Sequence, residues 1–172
     1  MALQNIIDAS KDNFASIKGD SIPPNPQVDS LQLKYFQVSV NLPGSKECSI
    51  SFEPNRHTKT EHYQIVMGER WVYSCTMLSS PDRNSAMDAY EAMLRLVTAA
   101  IKWDYRTDSN FDTTPGRSKR AIFTDSNGPA KSTTSGSGTE YPSTVEVLVQ
   151  TFRNSTLSVC VAAPCRVDSI RK

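Results

Sequence analysis

Two histidines, four cysteines and two short groups of arginine and lysine are the side chains that could carry chemistry, and their spacing excludes most of it. His57 and His62 flank a polar loop and the start of a strand-like run. They do not share a helix face, where suitable spacing would bring both onto one metal. Joining them to Cys48 and Cys75 across neighbouring strands would take cysteines that already fit an apolar face, so no metal site is expected. Cys48, Cys75, Cys160 and Cys165 read as buried thiols rather than a disulfide framework. Cys160 and Cys165 could form a local disulfide, but a strand followed by Pro164 accounts for them, and their spacing is unlike the two-residue gap of zinc knuckles and redox pairs. No Gly-rich phosphate loop, paired nucleophile and base, or nucleophile elbow is present. The expectation is a chain that binds rather than catalyses, with no catalytic residue and no cofactor.

The binding chemistry is of two kinds. Arg117, Lys119 and Arg120 stand together beside Gly116, and Arg166, Arg171 and Lys172 form a second basic group near the C-terminus. Both groups suit phosphate; the competing reading is a solvated loop and a frayed tail. On the first hairpin Tyr35, Gln37 and Ser39, with Ser49 and Ser51, make a polar strand face that could meet RNA, with Tyr35 free to stack on a base, or could simply meet water.

These side chains need a scaffold, and the stretch from Glu69 to Tyr105 sets its class. Trp71, Tyr73, Cys75 and Met77 alternate with Val72, Ser74 and Thr76, as on a strand with one dry side. The period then lengthens. Met87, Tyr90, Leu94, Val97 and Ile101, widened by Met93, form the stripe of an amphipathic helix with Ser80 as N-cap, Pro81 first inside and Asp82 in its first turn. Such a stripe must cover a sheet or a partner helix. Upstream, Leu31 to Val40 and Glu47 to Glu53 alternate around the turn at Pro43, Gly44 and Ser45, and Glu61 to Met67 adds another strand. Downstream, Thr144 to Phe152 and Thr156 to Ala162 read as a second hairpin, with Val145, Val147 and Val149 facing Leu157, Val159 and Val161.

The expected fold is therefore α+β: a four-strand antiparallel meander, a long amphipathic helix, then a C-terminal hairpin. One domain spans residues 1–172. Residues 1–30 form an arm, broken by Pro23, Pro24 and Pro26, whose Leu3, Ile6, Ile7, Phe14 and Ile17 dock on another subunit. Strands and the main helix occupy 31–105, a polar and low-complexity loop 106–143, and the hairpin with a basic tail 144–172. Self-association would use Leu3, Ile6 and Phe14 with Met87, Tyr90, Leu94, Val97 and Ile101. At 172 residues the chain can bury a real core, and 19 Lys plus Arg against 18 Asp plus Glu leave no strong overall field toward nucleic acid or membrane. No run approaches the ~18 to 20 apolar residues of a membrane span, and Met1 to Ile7 lacks the build of a secretory signal.

An arm, antiparallel strands carrying KYFQVSVNLPGSKECSISF and HYQIVM, then WVYSCTMLSSPDRNSAMDAYEAMLRLVTAAI, resembles the coat proteins of single-stranded RNA bacteriophages over residues 1–105. The resemblance implies a dimer with sheets joined edge to edge, helices that clasp the partner, and a sheet face turned to packaged RNA, in the virion and, during assembly, the host cytoplasm. The chain departs from it after the helix, where those coats end and this one continues into further strands. Two alternatives stand beside it: a matrix protein of an enveloped negative-strand RNA virus, whose basic loops meet anionic lipid and nucleocapsid, and a small non-viral ligand-binding domain or enzyme.

Overall fold

The computed structural model describes residues 2–23, 33–59, 63–109, 117–125, 138–151 and 154–171. Its elements run α1 (Ala2–Ser10), β1 (Lys18–Ile22), β2 (Lys34–Val38), β3 (Glu47–Glu53), β4 (Arg56–Lys59), β5 (Tyr63–Met67), β6 (Arg70–Ser80), α2 (Arg83–Ala100), β7 (Asp104–Ser109), β8 (Arg117–Thr124), β9 (Gly138–Tyr141), β10 (Thr144–Thr151), β11 (Ser155–Ala162) and β12 (Cys165–Arg171). Pro24, Pro26, His62, Phe152, Arg153, Lys172 and most of the low-complexity run lie outside the described residues.

The expected α+β meander is overturned. The described strands form an eight-stranded sheet in the order β1-β2-β3-β6-β11-β10-β8-β7 and a four-stranded sheet in the order β4-β5-β12-β9, with two helices among the described residues, so the fold is mostly β. The third strand of the supposed meander, β5, does not sit between β3 and β6. It pairs with β4 and β12 in the second sheet, and β3 pairs directly with β6, with Ile50 opposite Tyr73. The place beside β6 that a closing edge would leave open is taken by β11 of the C-terminal hairpin. That hairpin keeps the expected register, Val145 opposite Val161 and Val149 opposite Leu157, and lies within the main sheet.

The reason is the strict period of β10 and β11. Val145, Val147, Val149, Leu157, Val159 and Val161 are all buried on one face, and only a sheet interior beneath a helix keeps so many β-branched residues dry. Helix α2 supplies part of that cover, packing on β10, β11 and β6. Ala86, Tyr90, Val97 and Ile101 are buried, Met87, Met93 and Leu94 are half-buried, and Leu96 points outward at 64% exposure. Asp82, not Ser80, is the N-cap: its carboxylate accepts from the Asn84 and Ser85 backbone N–H groups, each at 3.1 Å, and from the Ser85 hydroxyl. Ser80 ends β6, and its hydroxyl accepts from the Asp82 N–H at 3.1 Å.

The residues expected to lie in a docking arm sit in this chain's own core. Ile6, Ile7, Phe14 and Ile17 are buried, Leu3 is half-buried, and α1 packs on β11. After α1 the chain turns through Asn13 and Phe14, both at positive φ, which drops the Phe14 ring to within 6.2 Å of Tyr73. A buried ring offsets the roughly 1 to 2 kcal/mol that a left-handed residue costs. The thiol reading of Cys48 and Cys75 is also corrected. They are register partners on β3 and β6 and form a disulfide with Cα atoms 4.1 Å apart, while Cys160 and Cys165 are free.

Candidate functional site

Helices cover one face of the eight-stranded sheet, and strand alternation sends every second residue to the other face. The register assembles that other face row by row. Ser49, Ser74, Cys160, Glu146, Ile122 and Arg106 stand side by side across β3, β6, β11, β10, β8 and β7. In the next row Ser51, Val72, Ala162, Thr144, Thr124 and Asp104 do the same, with Tyr35 of β2 beside Ser51. Arg70 lies opposite Glu53 at one end. Tyr35, Ser49, Ser51, Arg70, Ser74 and Cys160 line a shallow concavity of about 460 Å³. Its lining is mostly neutral, with Glu53, Arg70 and Glu146 its charged members.

The sequence clusters are redistributed by the same alternation. Lys119 points to the helix face, where its ammonium donates to Glu91 at 2.6 Å and lies 4.9 Å from the Tyr90 ring centroid. Arg120, one residue on, points to the open face, 3.0 Å from Asp108 and 3.9 Å from Glu146. Adjacent strand residues cannot share a face, so the cluster of Arg117, Lys119 and Arg120 does not come together as a single cationic patch. The side chains of Arg117 and Arg171 are not described; Arg166 is exposed on β12 in the second sheet. Gln37 is also exposed and borders a separate concavity of about 440 Å³ around the turn after β2, with Asn41, Ser45 and Lys46. Ser39 turns its hydroxyl to the Ile17 carbonyl at 3.2 Å. Of the polar residues first singled out on the hairpin, Tyr35, Ser49 and Ser51 meet in one place.

Acid–base chemistry on the open face is muted. Burial pushes the Cys160 thiol upward, outweighing its contact with the Ser74 hydroxyl at 3.4 Å, so it stays protonated and is a poor nucleophile. Behind the sheet the Tyr90 hydroxyl is buried without a hydrogen-bond partner among the described residues, and burial, then the nearby Glu91 carboxylate, pushes its pKa up to about 12. Among the described residues no three His, Cys, Asp or Glu side chains gather as a metal would need.

Arg70, Ser74, Glu146 and Cys160 were missed by sequence reasoning as members of a site. The polar half of the alternation in RWVYSCTM was readable, but Cys160 and Glu146 join it only through the β6–β11–β10 pairing. No protein-family model, characterised protein or solved structure matches this chain.

Proposed function

We propose that this chain is a self-assembling viral coat subunit that holds single-stranded RNA against the open face of its eight-stranded sheet. The observation that carries the reading is the contrast between the two faces: α1 and α2 cover one, while Tyr35, Ser49, Ser51, Arg70 and Ser74 surround a concavity on the other. A ring for stacking among neutral hydroxyls suits splayed bases of a single strand better than the backbone of a duplex. The pattern resemblance to RNA-phage coats over residues 1–105 is what brings a coat into consideration, while the placing of β5 in the second sheet, the burial of Ile6, Ile7 and Phe14 in this chain's own core, and the strands beyond α2 all set this chain apart from them. The matrix alternative draws less support, because attraction to anionic lipid needs a cationic surface. Here Arg70, Arg106 and Arg120 are offset by Glu53, Asp104, Asp108 and Glu146 on the same face.

That balance makes a quantitative claim. Three arginines bound the salt dependence of RNA affinity at a slope of about −2 on single strands, so stacking and hydrogen bonds must supply most of the binding. Filter binding across a salt series tests it. Tyr35→Ala should lose about 1 to 3 kcal/mol and shift preference among RNA sequences. Lys119→Ala should leave affinity nearly unchanged, since that side chain lies on the covered face. No RNA affinity even at low salt would overturn the proposal.

A further inference from the structure

The eight-stranded sheet ends at two strands that are not alike. At one edge β1 is short and its register with β2 breaks between Lys18 and Ser21, a bulge of the kind that blunts an edge against further pairing. At the other, β7 pairs with β8 without a break over six residues, and among the described residues nothing pairs with its outer side. Three consecutive residues of β7 have unmet needs. Tyr105 stacks on Phe123 with centroids 4.8 Å apart yet remains 47% exposed. Asp104 and Arg106 are exposed and carry no ion pair among the described residues, whereas Asp108 is held by Arg120 at 3.0 Å.

We infer that β7 pairs antiparallel with β7 of a second copy of this chain, about a two-fold axis through Tyr105. An isologous contact of this kind places residue i against j and j against i. With the axis at Tyr105, Asp104 faces the partner's Arg106 and Arg106 faces the partner's Asp104, while the two Tyr105 rings meet on the axis and cover each other. Shifting the axis by one residue toward the C-terminus sets Arg106 against itself and Asp104 against Asp108, which is repulsive in every charged pair. Shifting it to Thr107 recruits Asp108, already occupied by Arg120, and removes Asp104 from the pairing. Charge therefore selects the register. A two-fold normal to the sheet keeps both copies of α2 on one side. It also prolongs the row of Ser49, Ser74, Cys160, Glu146, Ile122 and Arg106 onto the neighbour, so the open face doubles in width.

The inference rests on the self-assembly half of the coat reading but not on RNA, and RNA-free full-length protein tests it. Sedimentation should show a dimer. Asp104→Arg alone and Arg106→Asp alone should each weaken the dimer by more than about tenfold, because like charges are then apposed twice, and the double exchange should restore it to within roughly threefold. Circular dichroism of each variant checks that it folds; for any that does not, Tyr105→Cys under mild oxidation replaces it. That variant should cross-link into a covalent dimer where the parent protein does not. A monomeric parent protein, single reversals that sediment like it, a double exchange that fails to restore association, or cross-linking through Thr107→Cys in place of Tyr105→Cys would each overturn the inference. A dimer that obeys the charge exchange yet binds no RNA would sink the RNA reading and leave the interface standing.

Discussion

Cutting the bridge between Cys48 and Cys75 gives the sharpest test of how two neighbouring strands of the main sheet, β3 and β6, are tied together. The bond joins β3 to β6 at the end of their pairing away from Glu53 and Arg70, between which the chain makes β4 and β5, so it closes a loop with a sequence separation of 27. Loop closure on that scale removes about 12 cal/mol/K from the unfolded ensemble, worth about 3.5 kcal/mol near room temperature. Cys75 is fully buried, so reductant added to the native protein is a poor probe, and Cys48→Ala is the cleaner perturbation. Urea unfolding in non-reducing buffer should then show a loss of about 3.5 kcal/mol, or a thermal midpoint lower by about 7 to 14 °C for a chain of this size. Intact mass of the denatured, alkylated parent should show two blocked thiols, those of Cys160 and Cys165. Four blocked thiols, or a variant that unfolds at the parent's midpoint, would refute the reasoning and return Cys48 and Cys75 to ordinary buried thiols.

Two further outcomes follow from the packing and the helix cap. Ile6→Ala should cost about 2 to 5 kcal/mol in denaturant titrations because Ile6 is wholly buried, whereas Leu96→Ala on the exposed side of α2 should change stability by no more than about 0.5 kcal/mol. Equal, small effects would mean that α1 is not docked on its own sheet. Asp82→Ala should lower the urea midpoint in neutral buffer. The Ser85 side chain and backbone, then the Asn84 N–H, hold the Asp82 carboxyl below its usual range, so its stabilisation is present above the unfolded-state pKa and lost as pH falls through the lower folded value. Parent and variant midpoints should therefore converge in strong acid, and a gap independent of pH would exclude the cap.

Local pattern was a good guide to β2, β3, β5, β6, α2, β10 and β11, but it left α1 and β1 in an arm, β8, β9 and most of β7 in a loop and β12 in a tail, and it was a poor guide to partners. The period of two in β6, β10 and β11 and the stripe of α2 could be read directly, because burial on one side imposes them wherever the strand pairs. Which strands become neighbours is a different question. HYQIVM alternates much like ECSISF, and nothing within β5 says that it will pair with β12, near the other end of the chain, rather than with β6 beside it. Gly68 gives a physical trace of that pairing with β12: its N–H donates to the Arg166 carbonyl at 2.7 Å, and a Cβ there would come within 2.6 Å of that oxygen. Only a residue without a side chain lets the chain pass so close to β12 as it crosses from the second sheet back to the main one. The apolar residues of α1 misled for a related reason. Leu3 and Ile6 look partnerless along the sequence because β11, on which α1 packs, lies far downstream, and Phe14 just after α1 does so because its neighbour Tyr73 is on β6.

The candidate site was legible to the extent that it depended on one strand's alternation. Tyr35, Ser49 and Ser51 are near in sequence, and a single hairpin brings them together. The basic cluster failed on the same rule that made the hairpin work. Lys119 and Arg120 are consecutive in an extended strand, so they point apart, one to Glu91 and the Tyr90 ring, the other to Asp108 and Glu146. Linear density of charge signals a surface patch only where the backbone is a loop, or a helix at the right spacing; in a strand it divides the charge between two faces. What remains on the open face is a stacking ring, hydroxyls and arginines matched by carboxylates. A surface so composed discriminates by shape and hydrogen bonding more than by attraction. Such a face gains reach chiefly by becoming wider, which joining two sheets at β7 would accomplish without changing its balance of charge.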